Sequence, residues 1–345
     1  KFKIGHDYFL LIKYLSQIIM FSFSNKKQKI AVVGSGYWGS IIINTLIDLG
    51  FKNIIIYDKS IKNKKIAKKK FKTIKFENNF SNILNDKNIL NIFVVTPPSV
   101  NLKIVKKLIF NNKNIFLEKP GFSNVKDINK IENYLKKSRS KLMFGYIYYY
   151  NSYIDKIKTI LDKKILGEIQ YISFSRKNLG PIRNDVDVDY DLTSHDLSII
   201  KKLFKKLPII NSYKKYSLLK KNISDISNLH LKLKNINIDI NNSWLNPNKE
   251  RLIKIIGKKK MLSFDELDLE APIKIYNQYA KYPKLDFFDK KFLKSKALIY
   301  VGKSKSIKLK TESPLINEIK SFFDYKKPQT DIKMAKEILT FLEKI

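Results

Sequence analysis

The sequence contains no cysteine. Disulfides, thiolate-bound zinc and cysteine nucleophiles are therefore excluded, and the absence of disulfides suits a reducing compartment. We expect a cytoplasmic protein and no metal site. With 345 residues and a hydrophobic share of 44%, the chain can form two domains that each bury a core.

Arginine is scarce: only four of the 68 lysine and arginine residues are arginine, although the net charge is +37. Because arginine binds phosphates and bases in bidentate fashion, a nucleic-acid surface would be expected to contain more of it. Even the densest lysine run, residues 62–72, is typical of a solvated helix face. We expect no nucleic-acid partner, although the charge should attract anionic small molecules.

The sequence also lacks an uninterrupted apolar run long enough to cross a membrane. The strongest candidate, residues 8–23, is short for a span and contains Lys13. No small-residue cleavage site follows it, so we do not expect a signal peptide. We expect residues 1–24 to be a separate N-terminal segment, of which residues 1–19 are upstream or poorly ordered sequence. No membrane association is expected.

Strands and helices alternate from Lys29 to about residue 138. Continuous apolar runs predict four strands, at 29–34, 53–58, 88–98 and 114–120. Amphipathic stretches predict helices at 39–50, 100–111 and 125–138. This alternation is typical of a doubly wound parallel sheet, an α/β fold, which we place at residues 25–145.

The pattern changes to antiparallel hairpins after about residue 145. Residues 168–176 alternate like a strand with one covered face, and paired strands flank Lys234 and Gly257. We therefore expect a second, α+β domain at residues 146–345 with a large, mostly antiparallel sheet. Residues 314–345 are predicted to be largely helical within this domain.

A glycine-rich loop, GSGYWG, lies between the first predicted strand and the first predicted helix. Its glycines have the G-x-G-x-x-G spacing, which allows a tight turn and brings backbone N–H groups to a pyrophosphate. We expect the whole loop to contact a dinucleotide: Gly34, Ser35, Gly36, Tyr37, Trp38 and Gly39. The alternative is a glycine turn that binds no nucleotide.

Asp58 ends the second predicted strand, 24 residues after Gly34. This is close to the separation at which a carboxylate binds the adenosine ribose hydroxyls in dinucleotide-binding domains. The negative charge would repel a 2′-phosphate, so the sequence favours NAD over NADP. Lys59 and Lys62 lie nearby and keep NADP as the alternative.

Lys119 lies at the end of the fourth predicted strand, in the stretch LEKPG, residues 117–121. The carboxyl ends of parallel strands are where doubly wound sheets bind ligands, and Thr96, Pro97 and Pro98 follow the preceding strand in the same way. In a chain so rich in lysine, this position alone makes Lys119 a weak candidate.

These motifs, with the D-x-x-x-H spacing of Asp191 and His195, occur in the order found in the Gfo/Idh/MocA oxidoreductases. The sequence resembles that family from about Lys29 to Ile345. Residues 178–196 and 243–266 resemble the branch that includes nucleotide-sugar dehydrogenases. In that branch UDP-N-acetylhexosamines, or their uronic acids, are oxidised at C3 for surface-polysaccharide synthesis.

The resemblance implies roles for the matched residues. The parallel sheet would be a Rossmann domain, with Glu118 and the turn at 96–98 beside the nicotinamide ribose. Lys119 would contact nicotinamide and substrate, polarise the reacting oxygen and relay its proton, and the Lys119–Pro120 bond would be cis. A homodimer or homotetramer, joined through the second sheet, is implied as well.

Two positions depart from the family pattern. Asn101 stands where TPP is usually followed by a histidine, so that histidine's contact is missing. Gly121 follows EKP and gives the backbone more freedom there. Neither residue is expected to touch the reacting groups.

One of the three histidines, His195, lies four residues after Asp191. On a helix this spacing places both side chains on one face, where Asp191 could orient the imidazole. Oxidising a secondary alcohol needs a group that takes the hydroxyl proton, and imidazole titrates near neutral pH. We expect His195 to be the acid/base, tuned by Asp191. The alternative is a helix N-cap at Asp191, Thr193 or Ser194, with His195 merely packed nearby.

Further residues are candidates for binding the substrate: Tyr146, Tyr150, Asn151, Arg176, Asn178 and Arg183. Two of the four arginines in one short loop favour capture of a carboxylate or phosphate, with surface charge as the alternative. The aromatic stretch GYIYYYN is also consistent with packing at the domain junction.

The sequence thus predicts an NAD-dependent enzyme that moves a hydride between a sugar secondary alcohol and the nicotinamide. A nucleotide sugar is the expected substrate, and a free sugar or inositol is the alternative. A catalytically silent NAD-binding protein would share the fold, but the intact Lys119 and His195 argue against it.

Overall fold

A computed structural model describes residues 27–281, 297–324 and 328–345 of the chain. The expected N-terminal segment, residues 1–24, lies outside the described residues. Among the residues that are described, no helix is long and apolar enough to cross a membrane. The same residues contain no cluster of histidine and acidic side chains that could hold a metal ion.

Six strands in the first part of the chain form a parallel sheet: β1 (Lys29–Val33), β2 (Asn53–Tyr57), β3 (Lys75–Phe76), β4 (Ile89–Val94), β5 (Asn114–Glu118) and β6 (Leu142–Gly145). Their order is β3-β2-β1-β4-β5-β6, and neighbouring strands are parallel. Strands of such a sheet are continuous apolar runs because both faces are covered; Ile30, Ala31 and Val32 of β1 have no exposed surface. The predicted doubly wound fold is confirmed.

Five helices connect these strands: α1 (Tyr37–Asp48), α2 (Ile61–Lys70), α3 (Phe80–Asn85), α4 (Pro98–Phe110) and α5 (Val125–Lys136). The side chains of Ser60, Asn79 and Asn124 each accept a hydrogen bond from a first-turn N–H, which fixes where α2, α3 and α5 begin. Pro98 opens α4, where its missing N–H is no loss. The lysine run 62–72 lies largely on α2, whose lysines are mostly exposed.

Eight strands form a second sheet: β7 (Ile169–Leu179), β8 (Ile209–Tyr216), β9 (Ile226–Leu233), β10 (Ile236–Ser243), β11 (Leu245–Gly257), β12 (Met261–Asp265), β13 (Ile273–Lys281) and β14 (Leu298–Ile307). Their order is β14-β13-β12-β11-β7-β10-β9-β8. The β7–β10 pair is parallel and the other neighbouring pairs are antiparallel, so the predicted mostly antiparallel sheet is confirmed. The same part of the chain contains α6 (Ser152–Asp162), α7 (Ser194–Phe204) and a π-helical turn, Asp189–Thr193, that leads into α7.

The last two helices, α8 (Pro314–Asp324) and α9 (Ile332–Leu342), pack on the parallel sheet. Phe322 of α8 makes edge-on contacts with Phe93 of β4 and Phe116 of β5, with ring centroids 5.1 and 5.9 Å away. Just before α9, the hydroxyl of Thr330 donates a 2.6 Å hydrogen bond to the carbonyl of Phe144 in β6. The C-terminal helices thus complete the core around the first sheet.

The described residues therefore divide differently from the expected domains. One compact unit contains residues 27–147 and 312–343, and a second contains residues 148–311 with 344–345. The first boundary lies two residues from the predicted one. The C-terminal helices, which we expected in the second domain, belong to the first because their apolar faces pack on strands roughly two hundred residues earlier in the chain.

Candidate active site

The glycine loop is shaped by contacts that exclude side chains at its two ends. Gly34 has φ +101°, and a Cβ there would lie 2.4 Å from the carbonyl oxygen of Val95. A Cβ on Gly39 would lie 2.1 Å from the carbonyl oxygen of Gly34. Only glycine at both positions lets α1 pack directly against the end of β1.

Gly36 differs from the other two glycines because it faces open space. The nearest atom to a Cβ at this position would be Asn63 Nδ2, at 3.9 Å. Gly36 also precedes α1, which begins without a side-chain cap. The N–H groups of the first helical turn therefore lack intrahelical partners and lie at the positive end of the helix dipole. The loop fits a pyrophosphate, which would approach over Gly36.

Asp58 organises the loop from the end of β2. Its carboxylate accepts hydrogen bonds from the backbone N–H and hydroxyl of Ser35, at 2.7 and 2.8 Å, and from the N–H of Ser60, at 2.8 Å. Asp58 is only 7% exposed. A negative charge is thus fixed beside the glycine loop, where a dinucleotide places its adenosine ribose.

The turns after β4 and β5 lie side by side at the carboxyl edge of the sheet. The Lys119–Pro120 bond is cis. Gly121 has φ +84°, and a Cβ there would lie 2.5 Å from Phe144 Cε1. Asn101, at the position where the family usually has histidine, is buried and hydrogen-bonds to both turns, at Thr96 and Gly121.

Glu318 and Tyr146 are buried near this edge, and Glu118 is partly buried. Glu318 of α8 has no exposed surface, and its carboxyl oxygens have no hydrogen-bond partner among the described residues. Burial raises the pKa of Glu318 well above 4.5, and the neighbouring Glu118 raises it further. Burial, followed by Glu118, likewise raises the pKa of Tyr146. Glu318 carried no sequence signal, because one glutamate on an amphipathic helix is unremarkable.

Tyr146 was a predicted substrate contact, but the structure places it in the core of the first unit. It is 1% exposed, and its ring is stacked on Phe144 with centroids 6.5 Å apart. A side chain enclosed in this way has no free surface for a sugar. We therefore no longer propose Tyr146 as a substrate contact.

In the second unit, Asp191 and His195 lie on the π-helical turn and the first turn of α7. Both are partly exposed, between largely buried neighbours. Asp191 accepts a 3.2 Å hydrogen bond from the indole N–H of the fully buried Trp244 and lies 3.8 Å from the Arg183 guanidinium. Asp191 thus lies on a π turn and not on the regular helix that we assumed, and the Trp244 indole helps to hold its carboxylate.

The His195 imidazole contacts the edge of the Tyr148 ring, with centroids 5.0 Å apart and planes inclined by 66°. The alternative of a side-chain N-cap is not what the structure shows, because Thr193 at the N-cap of α7 makes no capping bond with its side chain. Sequence reasoning missed both Tyr148 and Trp244, since neither follows from spacing along the chain.

Arg176 is held in a buried ion pair. Its Nε lies 2.5 Å from Asp196, whose side chain has no exposed surface, and its guanidinium stacks 4.0 Å from the Tyr148 ring centre. Burial alone would lower the pKa of Arg176, but Asp196 and Tyr148 raise it on balance. The Tyr148 hydroxyl donates a 2.6 Å hydrogen bond to Glu266, and burial raises the pKa of Tyr148 to about 12.

Several predicted substrate contacts are instead used within the fold. Arg176 cannot capture an anion while it is paired with Asp196, and Asn178 accepts a 2.6 Å hydrogen bond from Arg251. Asn151 caps α6 through a 2.8 Å bond from the Tyr153 N–H.

Two other predicted substrate contacts differ in exposure. Tyr150 is 8% exposed. Arg183 is part-exposed and pairs with Asp185 at 2.7 Å as well as lying near Asp191. Arg183 therefore stays a candidate for substrate binding.

Comparison with known proteins agrees with the loop geometry. Residues 28–146 match the family model GFO_IDH_MocA, described as an oxidoreductase family with an NAD-binding Rossmann fold. The uncharacterized oxidoreductase YrbE from Bacillus subtilis is 22% identical over 125 residues, which are 35% of this chain. The matched stretch spans only 37% of that relative's length.

Solved structures share the fold over nearly the whole chain. UDP-N-acetylglucosamine 3-dehydrogenase GnnA from Acidithiobacillus ferrooxidans has a TM-score of 0.73 at 15% identity, covering 92% of this chain and 96% of that one. An oxidoreductase from Agrobacterium radiobacter, in complex with NAD⁺, L-tartaric acid and magnesium, has a TM-score of 0.72 at 12% identity, covering 92% and 94%. Likeness at these identities shows the fold alone.

The parallel sheet, with its open glycine loop and Asp58, is a dinucleotide-binding domain. More narrowly, residues 28–146 match the NAD-binding Rossmann fold of the Gfo/Idh/MocA oxidoreductase family, and NAD is the cofactor.

Proposed function

We propose that the protein is an NAD-dependent dehydrogenase that oxidises a secondary alcohol of a sugar, or reduces the corresponding ketone. The observation that carries the proposal is the setting of His195. In a chain with an NAD-binding fold, its part-exposed imidazole lies one turn from a carboxylate that Trp244 holds in place. Such a pair suits the transfer of a hydroxyl proton.

Each residue has a distinct role in this proposal. His195 takes the proton from the sugar hydroxyl as the alcohol becomes a ketone, and Asp191 tunes the pair. Lys119, after β5, polarises the reacting oxygen and relays the proton. Bound NAD would supply the oxidant by accepting the hydride from the same carbon.

NAD is favoured over NADP by the position of Asp58. Its carboxylate is fixed by Ser35 and Ser60 beside the glycine loop. A 2′-phosphate in that place would meet a negative charge at close range. Glu118 and the turn at 96–98 are proposed to border the nicotinamide ribose, at the other end of the cofactor.

We propose a nucleotide sugar as substrate, with UDP-N-acetylhexosamines or their uronic acids oxidised at C3. The part-exposed Arg183, beside Asp191, supports an anionic substrate. Surface-polysaccharide synthesis, a cytoplasmic location and a homodimer or homotetramer joined through the second sheet belong to the same proposal. A free sugar or inositol is the second candidate substrate.

The test is incubation of the protein and NAD with a panel of sugars, followed by mass spectrometry of the sugar products. The panel contains UDP-N-acetylhexosamines, their uronic acids, glucose and inositol. A 3-keto nucleotide sugar is expected. Oxidation of the free polyols alone would keep the chemistry but overturn the nucleotide-sugar assignment. Bound cofactor without any oxidised product would favour a catalytically silent protein.

A further inference from the structure

Asn101 is a buried polar residue for which the reaction has so far provided no role. It lies in the first turns of α4 and is 1% exposed. Its Oδ1 accepts a 2.5 Å hydrogen bond from the Thr96 hydroxyl, and its Nδ2 donates a 2.6 Å hydrogen bond to the Gly121 carbonyl. One carboxamide therefore joins the turn after β4 to the turn after β5.

These two turns lie at a defined end of the cofactor site. In the sheet order β2-β1-β4-β5, Asp58 follows β2 and the glycine loop follows β1. A dinucleotide crosses the carboxyl ends of the strands, with its adenosine side toward β2. The nicotinamide side is therefore expected over β4 and β5, where Thr96 and Lys119 begin their turns.

The second turn is restrained from two directions. Phe144 lies against the Hα side of Gly121, where a Cβ would be 2.5 Å from its ring. Asn101 holds the carbonyl of the same residue. Lys119 is two residues earlier, so a shift of Gly121 would move the backbone from which the Lys119 side chain extends.

We propose that Asn101 is a positioning residue that fixes the nicotinamide end of the cofactor site and the backbone of Lys119. The part of this proposal that concerns Lys119 rests on the proposed function, whereas the part that concerns cofactor binding does not. Asparagine has no titrating proton, so the arrangement it holds does not depend on pH. A histidine in its place could donate one bond and accept the other, but would be charged below its pKa.

The first measurement compares binding of NADH and ADP-ribose, which lacks the nicotinamide, by fluorescence titration and calorimetry. Asn101→Ala should weaken NADH binding by about fivefold or more while changing ADP-ribose affinity by less than about twofold, since only one end of the site is disturbed. Equal weakening of both ligands, or no change in either, would overturn the proposal.

The second measurement uses whichever panel sugar is turned over. Asn101→Ala should lower kcat by about tenfold to a hundredfold, because small misplacement of a reacting group is costly, with little effect on the sugar KM. Asn101→His should restore part of the lost kcat near pH 8 and less at pH 6. If Asn101→Ala lost activity through a general loss of structure, Asn101→His would not restore kcat in this pH-dependent way. Absence of such a recovery of kcat would contradict a positioning role.

A control variant and a substitute variant keep the test decisive. The control is Asn111→Ala, at the exposed end of α4. It removes a side-chain amide that donates to the backbone carbonyl of Lys107, and it should leave the affinity for both ligands unchanged. If Asn101→Ala does not fold, Thr96→Val removes the hydroxyl that donates to Asn101 and should give the same selective loss of NADH affinity. The binding measurements need no sugar. An error in the proposed substrate would therefore leave their result unchanged, so the two proposals can fail independently.

Discussion

The carboxyl edge of the parallel sheet and the start of α7 are shaped by different parts of the chain. At the sheet edge the main chain sets the geometry: Gly34 and Gly39 allow close approach, while Gly36 leaves open space. At α7 the geometry depends on side chains, since Trp244 holds Asp191 and Tyr148 packs on His195. A site of the first kind is visible in residue spacing, whereas the second depends on tertiary contacts.

The largest effect is expected from removing the proposed acid/base. His195→Asn should lower turnover by about 10²–10⁴, the usual contribution of acid–base catalysis, and leave NADH affinity unchanged. Steady-state kinetics and a fluorescence titration test both statements. His230→Asn, in an exposed pair with Asp239, is the matched control and should retain full turnover. Unchanged turnover in His195→Asn would remove His195 from the mechanism.

Arg176 on β7 and Arg183 in the segment that follows it should differ sharply in their effect on stability. Arg176→Met leaves the buried Asp196 without its partner and should lower the free energy of unfolding by about 3–5 kcal/mol. Arg183→Met disturbs part-exposed pairs and should cost at most about 1 kcal/mol. Urea denaturation measures both.

The same pair of variants tests substrate binding. Arg183→Met should raise the KM of an anionic sugar with little change for a neutral one. If Arg183→Met lowered the free energy of unfolding as much as Arg176→Met, the conclusion that only Arg176 is needed for stability would be wrong.

The glycine loop offers a comparison within a single motif. Gly36→Ala places a methyl group in open space, so it should leave the melting temperature unchanged but weaken NADH binding by about tenfold or more, or about 1.4 kcal/mol. Gly39→Ala would force its methyl group against the Gly34 carbonyl and should destabilise the fold by about 1–3 kcal/mol. If Gly36→Ala lowers the melting temperature as much as Gly39→Ala does, the space around Gly36 is not open.

The most pH-dependent effect is expected at Glu318. Because burial raises its pKa, the folded protein holds this proton more tightly than the unfolded chain, so stability falls as the pH rises above 4.5 toward the raised value. Glu318→Gln removes this pH-dependent loss. It should raise the free energy of unfolding by about 1–3 kcal/mol near neutral pH and by progressively less toward pH 4. Melting curves at several pH values measure the gain. Parallel pH profiles for variant and wild type would contradict the assignment.

The geometry of the glycine loop could be predicted because its requirements are local: three glycines at fixed spacing, a strand before them and an acidic residue after the next strand. Arg176 and Asn178 could not be assigned in this way. Their partners, Asp196 and Arg251, are 20 and 73 residues away, and an exposed and a buried arginine look alike in sequence.

The C-terminal helices show the same limit on a larger scale. Their amphipathic pattern predicted helices, and the structure confirms them. The pattern did not reveal which sheet they cover, because that depends on Phe93 and Phe116, about two hundred residues earlier. Asn101 stood out in the sequence only as a departure from a family pattern, and its two hydrogen bonds emerge from the folded arrangement of two strands.

The central claim is that a hydride leaves a sugar carbon while His195 takes the hydroxyl proton. The most direct measurement is incubation with NAD and UDP-N-acetylglucosamine deuterated at C3, followed by denaturation and mass spectrometry of the released cofactor. We predict that the reduced cofactor carries the deuterium, and that His195→Asn binds NAD yet forms little labelled cofactor. Absence of labelled cofactor from the wild-type protein would contradict C3 oxidation of this nucleotide sugar, and labelling at full rate in His195→Asn would contradict the role of the histidine.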